Sequence, residues 1–194
     1  ILLEYLVFVF YGLIQGLTEF IPVSSTAHLK IIPFILGIDD PGYSSSAILQ
    51  FGSVLALVWH FKNDFLKFRI QASKNKFYYL LHESLLRSIL IGTIPIIFVG
   101  VIIKLYVPYF FDEILRSNLS IALISFLMAI FMYVADSSKK GSKNLKNHNY
   151  LDSFLIGFSQ AFAIVPGFSR SGITISTALI SGCETRDAAN FSFL

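Results

Sequence analysis

The chain has 194 residues, of which 55% are hydrophobic and only 14% charged, with a mean hydropathy of +0.69. A water-soluble domain needs roughly a quarter charged residues to solvate its surface, so this composition excludes an ordinary globular domain and makes lipid the main solvent. The net charge of +3 sits in short loops between apolar runs, which excludes a nucleic-acid face, and the single cysteine, Cys183, excludes an intrachain disulfide or a cysteine metal cluster.

The first residues, Ile1 to Tyr11, contain Glu4, lack a basic n-region and do not begin with Met, so no cleavable signal peptide is expected and the start reads as trimmed. The apolar stretch from Leu2 to Val23 runs into Pro22 and Ser24-Ser25-Thr26 before resuming to Leu36. Such an interruption predicts two half-helices meeting at a break. Lys30, Asp39 and Asp40 read as boundary residues.

Three spans are predicted next, over Ala47 to Phe61, Ser88 to Val107 and Leu119 to Ala135, each approaching the length needed to cross about 30 Å of hydrocarbon. Trp59 and His60 close the first beside Lys62, where an aromatic belt is expected. The loops Lys62 to Lys76 and Asp136 to Tyr150 carry the lysines and arginines and are assigned to the cytoplasm. The connection from Pro108 to Ser117, with Asp112, Glu113 and Arg116, then lies outside, as does the loop holding Asp39, Asp40 and Ser44 to Ser46.

A second interrupted stretch follows: Leu151 to Val165 runs into Pro166-Gly167 and resumes at Ile173. One common offset aligns Gly12-Leu13-Ile14-Gln15-Gly16 with Gly157-Phe158-Ser159-Gln160-Ala161, and Ser24-Ser25-Thr26-Ala27 with Ser169-Arg170-Ser171-Gly172; Pro22 and Pro166 miss by one position. With an odd number of spans between the broken pairs, the repeat must be inverted. The expected fold is an all-α polytopic membrane protein with inverted-topology repeats and two re-entrant broken helix pairs. It forms a single membrane domain over 1–194, with repeat 1 over about 1–107 and repeat 2 over about 115–194, the latter incomplete at its C-terminus. Such an architecture puts a polar site near the midplane, where half-helix ends face each other.

Gln15 and Glu19 share a helical face in an otherwise apolar segment, and an intramembrane carboxylate is costly enough to be a functional candidate. Oxygen ligands on one face suit a hard cation, Mg or Ca, that also bridges phosphate oxygens. Ser24 and Ser25 are good N-caps for the next half-helix. Ser25 and His28, three apart, are expected on one side of that helix near Glu19, a cluster suited to acid, base or nucleophile chemistry. In the second break, Ser169, Arg170 and Ser171 with adjacent glycines form an anion cradle; Arg170 cannot lose its charge and matches phosphate oxygens bidentately. Thr174 follows at helical spacing, where it either donates to the same phosphate or bonds its own backbone. Gln50, Gly52 and Ser53 read mainly as packing positions.

Gly16-Leu17-Thr18-Glu19-Phe20-Ile21-Pro22-Val23-Ser24-Ser25-Thr26-Ala27-His28 and Pro166-Gly167-Phe168-Ser169-Arg170-Ser171-Gly172 closely resemble the two signatures of the undecaprenyl-diphosphate phosphatase, or bacitracin-resistance, family. Gln50-Phe51-Gly52-Ser53-Val54-Leu55-Ala56 and Phe191-Ser192-Phe193-Leu194 extend the likeness along the chain. The resemblance implies hydrolysis of undecaprenyl diphosphate to undecaprenyl phosphate and inorganic phosphate, which recycles the lipid carrier for peptidoglycan synthesis and confers bacitracin resistance. It implies catalytic roles for Glu19, Ser25 and His28, a diphosphate grip by Ser169, Arg170 and Thr174, and a position at Gln15 where the family accepts Glu or Gln. It also implies that about the last quarter of a full-length member is absent. The expected location is the bacterial inner membrane with the site open to the periplasmic side. The expected partners are the membrane and a polyprenyl diphosphate lipid, with no nucleic acid and a homodimer left open. Broken helices and inverted repeats are shared with secondary transporters, so a transporter or flippase of a phosphorylated lipid is the alternative.

Overall fold

The computed structural model describes residues 2–40, 42–63, 65–66, 84–107, 109–138, 141–143 and 150–193. Among these the chain is all-helical: α1 (Leu2–Phe20), α2 (Ser25–Leu36), α3 (Gly42–His60), α4 (Ser84–Tyr106), α5 (Asn118–Ser137), α6 (Tyr150–Ala161), α7 (Arg170–Ile180) and α8 (Thr185–Phe193). A π-helical segment at Phe110–Leu115 joins α4 to α5, where the sequence predicted a plain connection, and a 3-10 turn at Phe162–Ile164 prolongs α6. Lys67, Arg69, Lys74, Lys76, Lys139, Lys140 and Lys146, on which the cytoplasmic assignment rests, lie outside the described residues.

Two helices are long and apolar enough to cross a membrane, over Ile89–Tyr106 and Asn118–Ser137. Only 11% and 17% of these windows are buried in the protein. The core helix of a soluble protein would be mostly covered; here Ile94, Phe98, Leu105, Leu119 and Phe126 stand more than half exposed. Apolar surface on this scale needs a non-aqueous solvent. The third expected span is helical as α3 but does not meet the same measure, because its first turns carry Ser44, Ser45 and Ser46.

Both predicted breaks are present. In the first, α1 stops before Pro22 and Val23 turns back onto the Ile21 carbonyl at 2.8 Å. Ser24 then caps α2, its hydroxyl accepting the Ala27 N–H at 3.4 Å. Ser24 sits at φ 61°, the only non-glycine among the described residues with positive φ. A side chain there stores roughly 1 kcal/mol or more of strain, a cost that native folds concentrate at sites and switches. In the second break, Val165-Pro166-Gly167-Phe168 closes a turn through Phe168 N–H to Val165 O at 3.2 Å, with Gly167 at φ 101°. Proline then glycine at the central positions is the type II pattern. A Cβ on Gly167 would also lie 2.9 Å from the Ile121 carbonyl. Ser169 caps α7 by accepting the Gly172 N–H at 3.1 Å.

α7 packs against α5, α6 and α8, while α1 packs against α2 and α3; contact between α2 and α5 links the two groups. Tyr11, Ile14 and Leu29 form one buried cluster, and Ile156, Ala178, Cys183 and Ala188 another. The most extensive helix pair is α4 with α6, which cross where Gly92 faces Gly157.

Beyond α7, Lys143 of the polar loop is stitched to the turn by Lys143 N–H to Gly182 O at 3.1 Å and Glu184 N–H to Lys143 O at 2.9 Å. Its ammonium pairs with Asp152 at 3.1 Å. Burial, reinforced by Asp152, pushes the Cys183 thiol up to about 11. Since the thiolate is the reactive form, alkylation of Cys183 by iodoacetamide at pH 8 is expected to be undetectable over hours in the folded protein and rapid once denatured, as read by mass spectrometry. The folded thiol holds its proton more tightly than the unfolded one, so its stabilising contribution is fully present below 9.0 and is lost as the pH rises through about 11.

Candidate active site

The site forms where the ends of α1 and α2 meet the start of α7. Glu19, in the last turn of α1, is its centre, and its side chain is only 9% exposed. Oε2 accepts the Ser25 hydroxyl at 2.7 Å and the Gln15 Nε2 amide at 3.0 Å. Oε1 accepts Arg170 Nη2 at 3.1 Å, so a guanidinium from the second break reaches a carboxylate from the first. Arg170 remains about a third exposed and lines a polar cleft of about 220 Å³. Its other terminal nitrogen, Nη1, donates to the Ser192 carbonyl at 3.5 Å.

The cleft is lined by Glu19, Ser25, Gln50, Ser169, Arg170 and Ser171, among others. The Ser169 and Ser171 hydroxyls lie 3.3 Å apart, and both residues are buried. They sit at the amino end of α7, where backbone N–H groups and the helix dipole favour negative charge. Of the residues singled out from sequence, Gln15, Glu19, Ser25 and Arg170 are thus brought into direct contact, with Ser169 and Ser171 on the same cleft.

Two residues stand apart from that contact network. His28 is absent from the cleft wall, and its Nδ1 lies 2.9 Å from the Ser24 carbonyl one turn back along α2. Thr174 lies behind Arg170: its hydroxyl donates to the Arg170 carbonyl at 2.8 Å and approaches the Ser192 hydroxyl at 2.7 Å. Thr174 therefore buttresses the first turn of α7, as hydroxyls in membrane helices commonly do. Ser192 was not singled out as a site residue from sequence, although it lies in the quoted Phe191-Ser192-Phe193 run. Gln50 lines the cleft although its helical setting read as packing; its only sequence signal was the motif around Gly52.

The donor set bears on a cation. No group of three or more His, Cys, Asp or Glu side chains gathers among the described residues, and both oxygens of Glu19 already face donors. Among the described residues, no cage built from such side chains alone is present. Mg and Ca, however, are held through one or two carboxylates plus substrate phosphates. Glu19 and the Gln15 side-chain oxygen fit that shared arrangement.

Residues 8–194 match the family described as bacitracin resistance protein BacA. The chain belongs to the BacA family. It is 73% identical over 193 residues to an undecaprenyl-diphosphatase of Prochlorococcus marinus (strain AS9601), covering 100% of this chain and 70% of that protein. An undecaprenyl-diphosphatase of Prochlorococcus marinus (strain MIT 9312) is also 73% identical, over 98% of this chain and 71% of the relative. One from Trichodesmium erythraeum (strain IMS101) is 44% identical, over 96% of this chain and 61% of the relative. The BacA match contains both breaks and every residue in the Glu19 network.

Proposed function

We propose that the chain hydrolyses undecaprenyl diphosphate to undecaprenyl phosphate and inorganic phosphate, returning a lipid carrier to cell-wall synthesis and thereby conferring bacitracin resistance. The observation that carries the reading is the Glu19 carboxylate held between Ser25 and Arg170 in an apolar protein. A nucleophile within hydrogen-bond reach of a base, facing an arginine fork and a helix amino end, is the arrangement phosphoryl transfer requires.

In the reaction, Arg170 and the N–H groups of α7 bind the terminal phosphate, with Ser169 and Ser171 beside them. Ser25 Oγ attacks that phosphorus while its proton passes to Glu19. The bond to the bridging oxygen breaks, and undecaprenyl phosphate leaves. Glu19 gives the proton it took from Ser25 to the departing undecaprenyl phosphate, and water then cleaves the serine phosphoester, its proton passing to Glu19 and on to Ser25 Oγ. A divalent cation, Mg or Ca, would be held by Glu19 and Gln15 and would supply charge neutralisation at the leaving phosphate. His28 orients the turn that carries Ser25 through the Ser24 carbonyl.

The two broken pairs are read as re-entrant and related by an inverted repeat, repeat 1 over about 1–107 and repeat 2 over about 115–194. The like roles of Ser24 and Ser169 as helix caps at aligned positions support this. The site opens to the outer, periplasmic face of the inner membrane. The test is release of inorganic phosphate from undecaprenyl diphosphate by the purified chain in detergent. Glu19→Gln keeps the shape but removes the base, and is expected to lower that release by about 100-fold or more. Transport of the intact diphosphate without phosphate release would favour a flippase instead.

A further inference from the structure

Hydrolysis at Ser25 produces inorganic phosphate, a multiply charged anion that hydrocarbon rejects. It therefore needs a polar way out. A second cleft, of about 310 Å³, adjoins the reaction site, and the two share Ser25, Thr26 and Gln50. Two cationic residues, Lys30 and Arg116, are among those that line it, together with Asp40. Lys30 lies one turn beyond Thr26 on α2, so both present to the same side. The Lys30 ammonium donates to the Arg116 backbone carbonyl, which fixes it at the wall and leaves two of its three protons to donate elsewhere.

We propose that Lys30 and Arg116 form a second phosphate station, distinct from the Arg170 cradle, which receives the released inorganic phosphate and passes it out of the protein. The proposal rests on the hydrolase reading above for the origin of the anion, but not for the binding itself. Ser25, on the wall of both clefts, is the point of transfer: phosphate freed there moves along Thr26 toward the two cations. Asp40 keeps the station weak, as release requires, since a site on an exit path must bind well enough to be entered and loosely enough to be left. The sequence alone reads Lys30 as a boundary residue, because the wall it shares with Arg116 arises only where α2 packs against α5 and Lys30 reaches the turn before α5.

The test is a titration of inorganic phosphate, without lipid, into the full chain in detergent micelles, followed by 31P line broadening. Lys30→Gln is expected to weaken binding about tenfold through loss of one charge-assisted donor. Arg116→Gln should weaken it to a similar degree, and Lys30→Arg should retain it. Equal affinity in the wild type, Lys30→Gln and Arg116→Gln overturns the station, as does binding abolished by Arg170→Ala alone. A raised KM for the lipid diphosphate with unchanged phosphate affinity in Lys30→Gln assigns the cations to the incoming headgroup and also overturns it. If the wild type binds phosphate through Lys30 yet hydrolyses no lipid, the station stands and the hydrolase reading fails.

Discussion

Replacing Arg170 by alanine is expected to lower phosphate release from undecaprenyl diphosphate by about two to three orders of magnitude, the scale of losing one preorganised donor to developing charge. Arg170 acts in two ways. In the proposed reaction its fork supplies donors to phosphate oxygens, and its charge offsets the Glu19 carboxylate at 3.1 Å. Alanine removes both and leaves a nearly buried carboxylate with only the neutral donors Gln15 and Ser25. Carboxylate and phosphate then repel each other across the cleft, so binding as well as turnover suffers. Lysine at this position keeps the charge and loses the planar fork, so Arg170→Lys should recover only part of the rate. Steady-state release of phosphate, with thermal unfolding measured alongside, separates a damaged site from a damaged fold.

The second large effect concerns stability. Gly157→Ala is expected to destabilise the protein by about 3 kcal/mol, the upper end for forcing an extra carbon into a packed contact. A Cβ on Gly157 would lie 2.1 Å from the Gly92 Cα and 2.3 Å from its carbonyl oxygen, both backbone atoms of the facing helix. Rotamer changes cannot relieve such a clash, so α4 and α6 must separate along their whole contact. The same change at Gly92 meets its nearest neighbours at 3.5 Å, ordinary contact distance, and Gly92→Ala should be close to neutral. Small residues that let helix backbones touch are a main source of association in lipid, where apolar side chains gain nothing by leaving their solvent. Thermal unfolding in detergent should therefore show a large drop for Gly157→Ala and little for Gly92→Ala. Equal drops would mean that the crossing is not as close as described.

Much of this organisation can be read from the residues in order. Pro22 and Pro166-Gly167 interrupt apolar runs, and proline cannot donate to a continuing helix, so both breaks are legible. Glu19 and Arg170 stand out because charge within apolar sequence is costly. Their contact spans 151 positions, however, and no local pattern encodes that distance. The orientation of His28 was also hidden: a spacing of three from Ser25 allows a shared face, but the nearer Ser24 carbonyl captures its ring. For Thr174 the sequence offered phosphate or backbone as partners, and the structure joins it to the backbone and to Ser192, whose helix α8 was not anticipated. The polar start of α3 lowers it below the apolarity of a clear span, which counting hydrophobic residues from Ala47 onward had concealed.

The central claim is that a carboxylate from one broken segment and a guanidinium from the other work as a single unit. The most direct measurement is a kinetic double-mutant cycle on phosphate release, comparing Glu19→Gln, Arg170→Ala and the double variant. Groups that act together lose nearly everything on the first removal, so the double variant should be no slower than the worse single one, within about threefold. Losses that multiply in the double variant would show that Glu19 and Arg170 act independently, and would contradict a shared site.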